Sequence, residues 1–453
     1  MEGTEHTSVR SGLDPARPAK RKVRVLFVND TTRNGGPGQS LYTILRFLDT
    51  SVVHRSVLVP REGVIAERLR AGKVVDDLTY LPNLVENPFE PWDRAIERED
   101  FDAPGALKAI RLAGNVGRGA LGLAQLASIV RRGGYDLIYC NGTTANFAGA
   151  AVARMTGVPA LWHARYTSIA KPILGLHNRL ARSPSVRRVI CVSHASKRVF
   201  EAANAAEKVR VINNAVDTEE FAPDATRNRL KDELRLAPDT VMFGSHGRVL
   251  RPKGYPEMIR AAHLALSQMT HDERRRAHFC IVGDTPADFR VDHLAECRAL
   301  AAELGITDKV HLLGFRKDVR DMVDGFDVAM VPSIYPDPLP RSVLESMALA
   351  KPVIAFAVGG VPEMVEQDVS GTLLPLEPPP SGALPDQSPV IDALAEQILR
   401  YLRDPDLRKR QGAAARARIE AKFGGRAHSR AVQNEIVWAS GLSVAASAPT
   451  AGG

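Results

Sequence analysis

Short apolar runs alternate with longer stretches of helical spacing through most of the chain, and the alternation occurs twice. In the first half, runs at 23–28, 55–59, 136–140, 160–163 and 189–193 predict strands, most of them ending where Gly, Asn or Ser opens a loop. A cleaner series follows at 241–245, 279–282, 310–313, 328–331, 353–356 and 372–374. Strands separated by helical segments read as parallel sheets with crossover helices. The fold class is therefore α/β, with two Rossmann-like doubly wound domains facing across a cleft. In such sheets ligands sit beyond the carboxyl ends of the strands, so the chemistry belongs in the loops that follow them.

Residues 213–239 hold several turn formers with Pro223 and Pro238, and read as the link between the halves. The expected division is a disordered tail at 1–20, a first domain at 21–215 and a second at 216–425. A closing helix at 426–440, able to return to the first domain, and a second disordered tail at 441–453 complete it. The segment 375–389 carries six prolines and reads as a surface excursion.

Composition narrows the class. With 44% hydrophobic and 25% charged residues the chain is an ordinary globular one. Cys140, Cys191, Cys280 and Cys297 are too widely spaced for a zinc site or a disulfide framework, so a reducing cytoplasm fits. No apolar run reaches the roughly 18 residues of a spanning helix, and residues 1–20 lack the apolar stretch of a signal peptide. Charge changes the picture more. Between residues 103 and 200 stand 14 Lys or Arg against one acid, Asp136, although the whole chain carries only +8. Such a basic face suits an anionic membrane surface or a phosphate-bearing acceptor, and equally an arginine-rich solvated surface. The helical stretch 103–132, with Lys108, Arg111 and Arg118, suits a membrane-surface helix and equally a packed one with its basic side outward; the packed helix, near anionic lipid, is the expectation. No nucleic-acid module is recognisable, so nucleic acid is not an expected partner.

The densest motif is PDPLPRSVLESMA at 336–348, followed by the strand KPVIAF and the loop VGGVPEMV. Asp337 and Glu345 flank a predicted helix start at Pro340, with Val343, Leu344 and Met347 as its apolar face. Free N–H groups and the positive end of the helix dipole favour an anion there, while the two carboxylates can accept hydrogen bonds from sugar hydroxyls. Taken alone, Asp337 could be a turn residue and Glu345 a surface acid.

This pattern resembles glycosyltransferase family 4, whose hallmark is a carboxylate, seven residues and a Glu, then an apolar helix, Lys-Pro-Val-Ile-Ala and a Gly-Gly-x-x-Glu loop. Further matches are SHGRVLRPKGYPEMIRA at 245–261, IVGD at 281–284, KVHLLGFRKDV at 309–319 and VINNAVDTEEF at 211–221. The resemblance implies a GT-B fold and a retaining, metal-independent hexosyltransferase using a nucleotide-sugar, UDP- or GDP-linked, with no cofactor. It implies that His163, Arg248, Lys253 and Asp337 are catalytic. Donor binding falls to Gly35, Gly36, Arg248, Lys253, Gly314, Phe315, Asp337, Leu339, Arg341 and Glu345, and acceptor binding to Asn141, Thr143 and Arg165. Glu363 either joins the donor pocket or is a helix N-terminal acid. Gly35 and Gly36 either allow a phosphate close to the backbone or form an ordinary turn. The chain departs from the family at Asp337, more often Glu, and at Leu339 and Pro340, more often Phe-Gly, which leaves the donor sugar open.

The expected acceptor is a lipid-linked or cell-surface glycan of capsule, lipopolysaccharide or exopolysaccharide synthesis, handled by a cytoplasmic protein peripheral to the inner membrane face. The alternatives are a sugar-nucleotide epimerase of the same architecture and a non-catalytic sugar-nucleotide-binding protein.

Overall fold

The computed structural model describes residues 21–442 apart from 33–34, 85–104, 225–227, 288, 290, 378–383 and 385–387. The expected tail at 1–20, residues 443–453 of the expected tail at 441–453, and most of the proline-rich excursion lie outside the described residues.

Thirteen strands form two wholly parallel sheets among the described residues. In the first sheet β1 is Val23–Asn29, β2 Val53–Val59, β3 Asp77–Tyr80, β4 Leu137–Asn141, β5 Ala160–Ala164, β6 Val186–Cys191 and β7 Val209–Val211. Their spatial order is β3-β2-β1-β4-β5-β6-β7. In the second, β8 is Val241–His246, β9 Ala277–Val282, β10 Val310–Leu312, β11 Val328–Val331, β12 Val353–Phe356 and β13 Gly371–Leu374, ordered β10-β9-β8-β11-β12-β13. Strand order reverses at β1/β4 and at β8/β11, so each sheet has one switch point where loops diverge and a ligand crevice opens.

The central strands are buried on both faces, as continuous apolar runs require. Sequence pattern did not reveal β3 and β7. Both are short edge strands, and Asp77 and Tyr80 at the ends of β3 are exposed, so neither shows an apolar run.

The predicted link is more ordered than its turn residues suggest. It contains the helix Arg229–Glu233, and Val216 exchanges backbone hydrogen bonds with Phe423 and Gly425. The helix Gly425–Ser440 then crosses to the first domain, where Val432, Ile436 and Ala439 join the core of Val23, Val25 and Leu41.

The long basic helix runs from Gly105 to Gly133, and its packing differs from expectation. Leu126, Ala127 and Val130 are buried, whereas Leu107, Ile110, Val116 and Leu121 are exposed, Ile110 by 68%. Gly114, Gly117 and Gly119 face open space as well, while Arg118 reaches the Pro82 carbonyl at 3.3 Å. No helix among the described residues is long and apolar enough to cross a membrane.

Candidate active site

The second domain contributes cations and carboxylates from both sides of its switch point. After β8 the backbone turns at Gly247, at φ 136°, and leaves Arg248 exposed. A 3-10 turn, Arg251–Lys253, then delivers Lys253, whose Nζ meets Asp337 Oδ2 at 2.6 Å. Tyr335 donates its hydroxyl to the same oxygen at 3.0 Å and places its ring 5.2 Å from the ammonium. Burial opposes the charge on Lys253, but Asp337 and Tyr335 outweigh it and raise its pKa. Burial and Asp337 push the Tyr335 phenol up to about 12, while Lys253 and Arg248 act on it in the opposite sense.

From β11 the chain enters the loop before the helix Arg341–Ala348. Pro340 is the N-cap rather than the first helical residue, and the buried face is Val343, Leu344, Met347 and Ala348. Glu345 accepts from Arg341 Nε at 3.0 Å and meets His246 Nε2 at 2.9 Å. Burial opposes ionisation of Glu345, but Arg341 and His246 hold its pKa below the ordinary value. The Gly-Gly loop buttresses this segment from behind. Gly360 donates its N–H to the Asp337 carbonyl at 2.9 Å, and a Cβ at Gly359 would lie 2.1 Å from that same oxygen. Leu339 is buried, Gly314 turns at φ 68°, and Phe315 beside it is exposed.

In the first domain, register aligns the polar groups. Asn29 pairs with Asn141 across β1/β4, and Asn141 with His163 across β4/β5, so three side chains stand in a row at the carboxyl edge. Asn141 Nδ2 donates to Asn29 Oδ1 at 2.7 Å and to the Pro37 carbonyl at 3.1 Å, tying the row to the start of the helix Gly36–Phe47. Asn141 is itself fully buried, whereas Thr143, at the head of the next helix, is exposed. Arg165 donates Nε to Asn141 Oδ1 at 3.0 Å. His163 Nδ1 is bonded by the Tyr139 hydroxyl, and its Nε2 has no partner among the described residues. Burial first, then Arg165, hold its pKa well below the ordinary value, so the ring is neutral.

The two halves touch at these groups. Thr167 donates to the Pro336 carbonyl at 2.8 Å, Asn214 Nδ2 to the Leu339 carbonyl at 3.2 Å, and Arg341 Nη1 to the Ala215 carbonyl at 3.1 Å. A Cβ at Gly36 would lie 4.0 Å from Arg341, so the Gly35–Gly36 turn faces the head of the Arg341–Ala348 helix. Glu363 lies in the first turn of the helix Val361–Met364, as the helix N-terminal reading expects, but its carboxylate reaches further. Its carboxylate accepts from the backbone N–H groups of His194 and Ala195 at 3.0 and 3.2 Å and from Asn213 Nδ2 at 3.3 Å. It caps a helix of the opposite domain, where the dipole favours a negative charge.

The structure thus gathers Arg248, Lys253, Asp337, Arg341 and Glu345 on one wall and Gly36, His163 and Arg165 on the other. Sequence reasoning missed His246, Tyr335, Asn214 and Asp30, whose carboxylate accepts from the Ala145 N–H at 3.0 Å. His246 and Tyr335 lie two residues from Arg248 and Asp337, a signal that could have flagged them.

His428, on the crossing helix, was missed too. It is buried, and burial followed by Arg165, with Arg341 adding to them against the opposing Asn213 backbone, lowers its pKa to about 3. Below the ordinary value of 6.5 the unfolded chain takes up a proton that the folded chain refuses until about pH 3. Stability is therefore complete above pH 6.5 and falls across that window, by up to about 1.4 kcal/mol per pH unit for this ring. The melting temperature should drop between pH 7 and 5, and His428→Gln should flatten the slope; an unchanged slope in the variant contradicts the assignment.

Two doubly wound parallel sheets meeting at such a cleft define the GT-B fold. A family model for glycosyl transferases group 1 matches residues 226–418, and one for glycosyltransferase family 4 matches residues 90–220. The chain belongs to glycosyltransferase family 4. It is similar to the Escherichia coli UDP-Gal:alpha-D-GlcNAc-diphosphoundecaprenol alpha-1,3-galactosyltransferase, 24% identical over 56% of this chain and 66% of that one. It also resembles a D-inositol 3-phosphate glycosyltransferase of Saccharomonospora viridis, 31% identical over 45% of this chain and 44% of that one. The chain thus spans less than two thirds of either relative. Among solved structures, Anabaena HepE in complex with UDP and glucose shares the fold, with a TM-score of 0.71 and 22% identity over 91% of this chain and 99% of that one.

Proposed function

We propose that the protein is a retaining, metal-independent hexosyltransferase that takes its sugar from UDP or GDP. The observation that carries this reading is the Lys253–Asp337 pair, set beside exposed Arg248 at the approach to the Arg341–Ala348 helix. Departure of a nucleoside diphosphate puts negative charge on its oxygens. Lys253, held by Asp337, and the helix N–H groups meet that charge without reorganising, which is how preorganised electrostatics lowers a barrier, and Arg248 adds a second cation. Asp337 and neutral His163 then orient the sugar, Glu345 the ribose, and Leu339, Gly314 and Phe315 enclose the nucleotide. The leaving phosphate accepts the proton of the incoming hydroxyl as the new glycosidic bond forms on the same face. Positioning replaces a protein nucleophile.

Gly35 and Gly36 close over the diphosphate from the first domain, and Asn141, Thr143 and Arg165 serve the acceptor. That acceptor is a lipid-linked or cell-surface glycan, and the protein works in the cytoplasm, peripheral to the membrane. The exposed apolar and basic half of the Gly105–Gly133 helix supports the membrane part. Binding to vesicles rich in anionic lipid is expected to weaken steeply as salt rises; absent or salt-insensitive binding would point to a soluble acceptor.

The function is tested with UDP-, GDP- and ADP-sugars. One of them should raise the melting temperature by mass action and, without acceptor, be hydrolysed slowly. Release of an epimerised nucleotide-sugar would mark an epimerase instead, and binding without any product a non-catalytic protein.

A further inference from the structure

Arg165 lies at the floor of the cleft, half-buried, with only neutral partners. Nε donates to Asn141 Oδ1 at 3.0 Å, Nη1 to Asn214 Oδ1 at 2.5 Å and Nη2 to His163 Nδ1 at 3.3 Å. No carboxylate pairs with it among the described residues. Several other arginines of this chain meet a carboxylate. Arg55 and Arg188, both buried, meet Asp76 at 3.1 Å and Glu435 at 2.6 Å, and Arg341 meets Glu345 at 2.9 Å. A cation withdrawn from water is costly unless paired, so an uncompensated one marks a place where a counter-charge arrives later.

Its geometry is that of a prepared receptor. A guanidinium carries five N–H groups, and three are spent on Asn141, Asn214 and His163, which fix its plane. Two remain, one on each terminal nitrogen, the arrangement that grips a pair of oxygens on one anion. The same region is fastened to the opposite wall. Thr167, two residues on, donates to the Pro336 carbonyl, and Asn214, which holds Nη1, donates to the Leu339 carbonyl. Arg165 therefore sits against the loop that carries Asp337. Burial, with Arg341 acting in the same sense, brings its pKa down to about 10, which leaves it charged at neutral pH.

We propose that Arg165 seats a phosphate group of a substrate through its two remaining N–H groups. Asn141, Asn214 and His163 are the positioning residues that hold the fork. Only the choice of which phosphate rests on the transferase reading: the departing diphosphate of the nucleotide-sugar, or a phosphate carried by the acceptor.

The test is titration of the full chain with inorganic phosphate, alone and with saturating UDP or GDP, for wild type, Arg165→Gln and Arg165→Lys. Wild type should bind phosphate, Arg165→Gln about tenfold or more weakly, and Arg165→Lys in between. If saturating nucleotide blocks phosphate and Arg165→Gln also weakens nucleotide binding, the group is the leaving diphosphate. If phosphate binds to the nucleotide-loaded protein and Arg165→Gln leaves nucleotide affinity unchanged, it is the acceptor's. Phosphate binding equal in wild type and Arg165→Gln, or absent from wild type, overturns the proposal. Should Arg165→Gln fail to fold, Arg165→Lys decides, since it must retain weakened binding. A chain that binds phosphate through Arg165 but no nucleotide would sink the donor assignment alone.

Discussion

Lys253→Ala is expected to lower sugar transfer by about 10³-fold or more while the protein stays folded. The ammonium is held 2.6 Å from Asp337 and beneath the ring of Tyr335. Its removal takes away a cation aimed at the leaving group and frees Asp337 to swing, so the loss should appear in kcat rather than in KM alone. The fold should survive, because Lys253 contributes no side chain to the apolar core and Asp337 keeps the Tyr335 hydroxyl. Losing a part-buried pair costs about 1–3 kcal/mol, which a cooperative domain tolerates. Steady-state kinetics together with circular dichroism decide the matter. Near-normal turnover in a folded variant would refute the role given to this residue, and Asp337→Asn, which keeps shape but drops charge, should reproduce part of the loss.

Legibility from sequence followed burial. Strands such as β1, β4 and β8 are buried on both faces, and continuous apolar runs announced them. Edge strands β3 and β7 are short and interrupted by polar residues, and left no such trace. Within the cleft, Lys253, Asp337 and Glu345 were legible because a spaced motif marks them, although the ion pair between the first two joins different crossovers. Asn214 and His428 were not legible. Each acquires its meaning from a partner in the other half of the molecule, Asn214 from the Leu339 carbonyl and His428 from Arg165 and Arg341. Glu363 shows the limit most clearly, since its sequence neighbours describe a local helix start while its carboxylate caps a helix of the other domain. The outward half of the Gly105–Gly133 helix misled for a related reason, as helical spacing records which residues share a face but not whether anything covers it.

Gly254→Ala is expected to be severely damaging to the second domain. Gly254 sits at φ 72°, and a Cβ there would lie 1.8 Å from the Pro332 carbonyl oxygen at the end of β11. Two costs therefore add. The left-handed backbone is unfavourable by about 1–2 kcal/mol for a residue with a side chain. The overlap is with main chain that cannot swing aside, because the Ile334 N–H is bonded to the Pro252 carbonyl at 3.0 Å and locks the two loops together. Together they should destabilise the domain by about 3 kcal/mol or more, and relief can come only by pushing the Arg251–Lys253 turn away from Asp337. Nucleotide-sugar binding should then fail along with stability. Gly314→Ala separates the two terms, since φ there is 68° but nothing lies within 4 Å of the added Cβ. That variant should pay the backbone cost alone, so its melting temperature must fall clearly less than that of Gly254→Ala. Equal losses would show that backbone strain rather than close packing fixes Gly254, and would remove the steric link between this glycine and the position of Lys253.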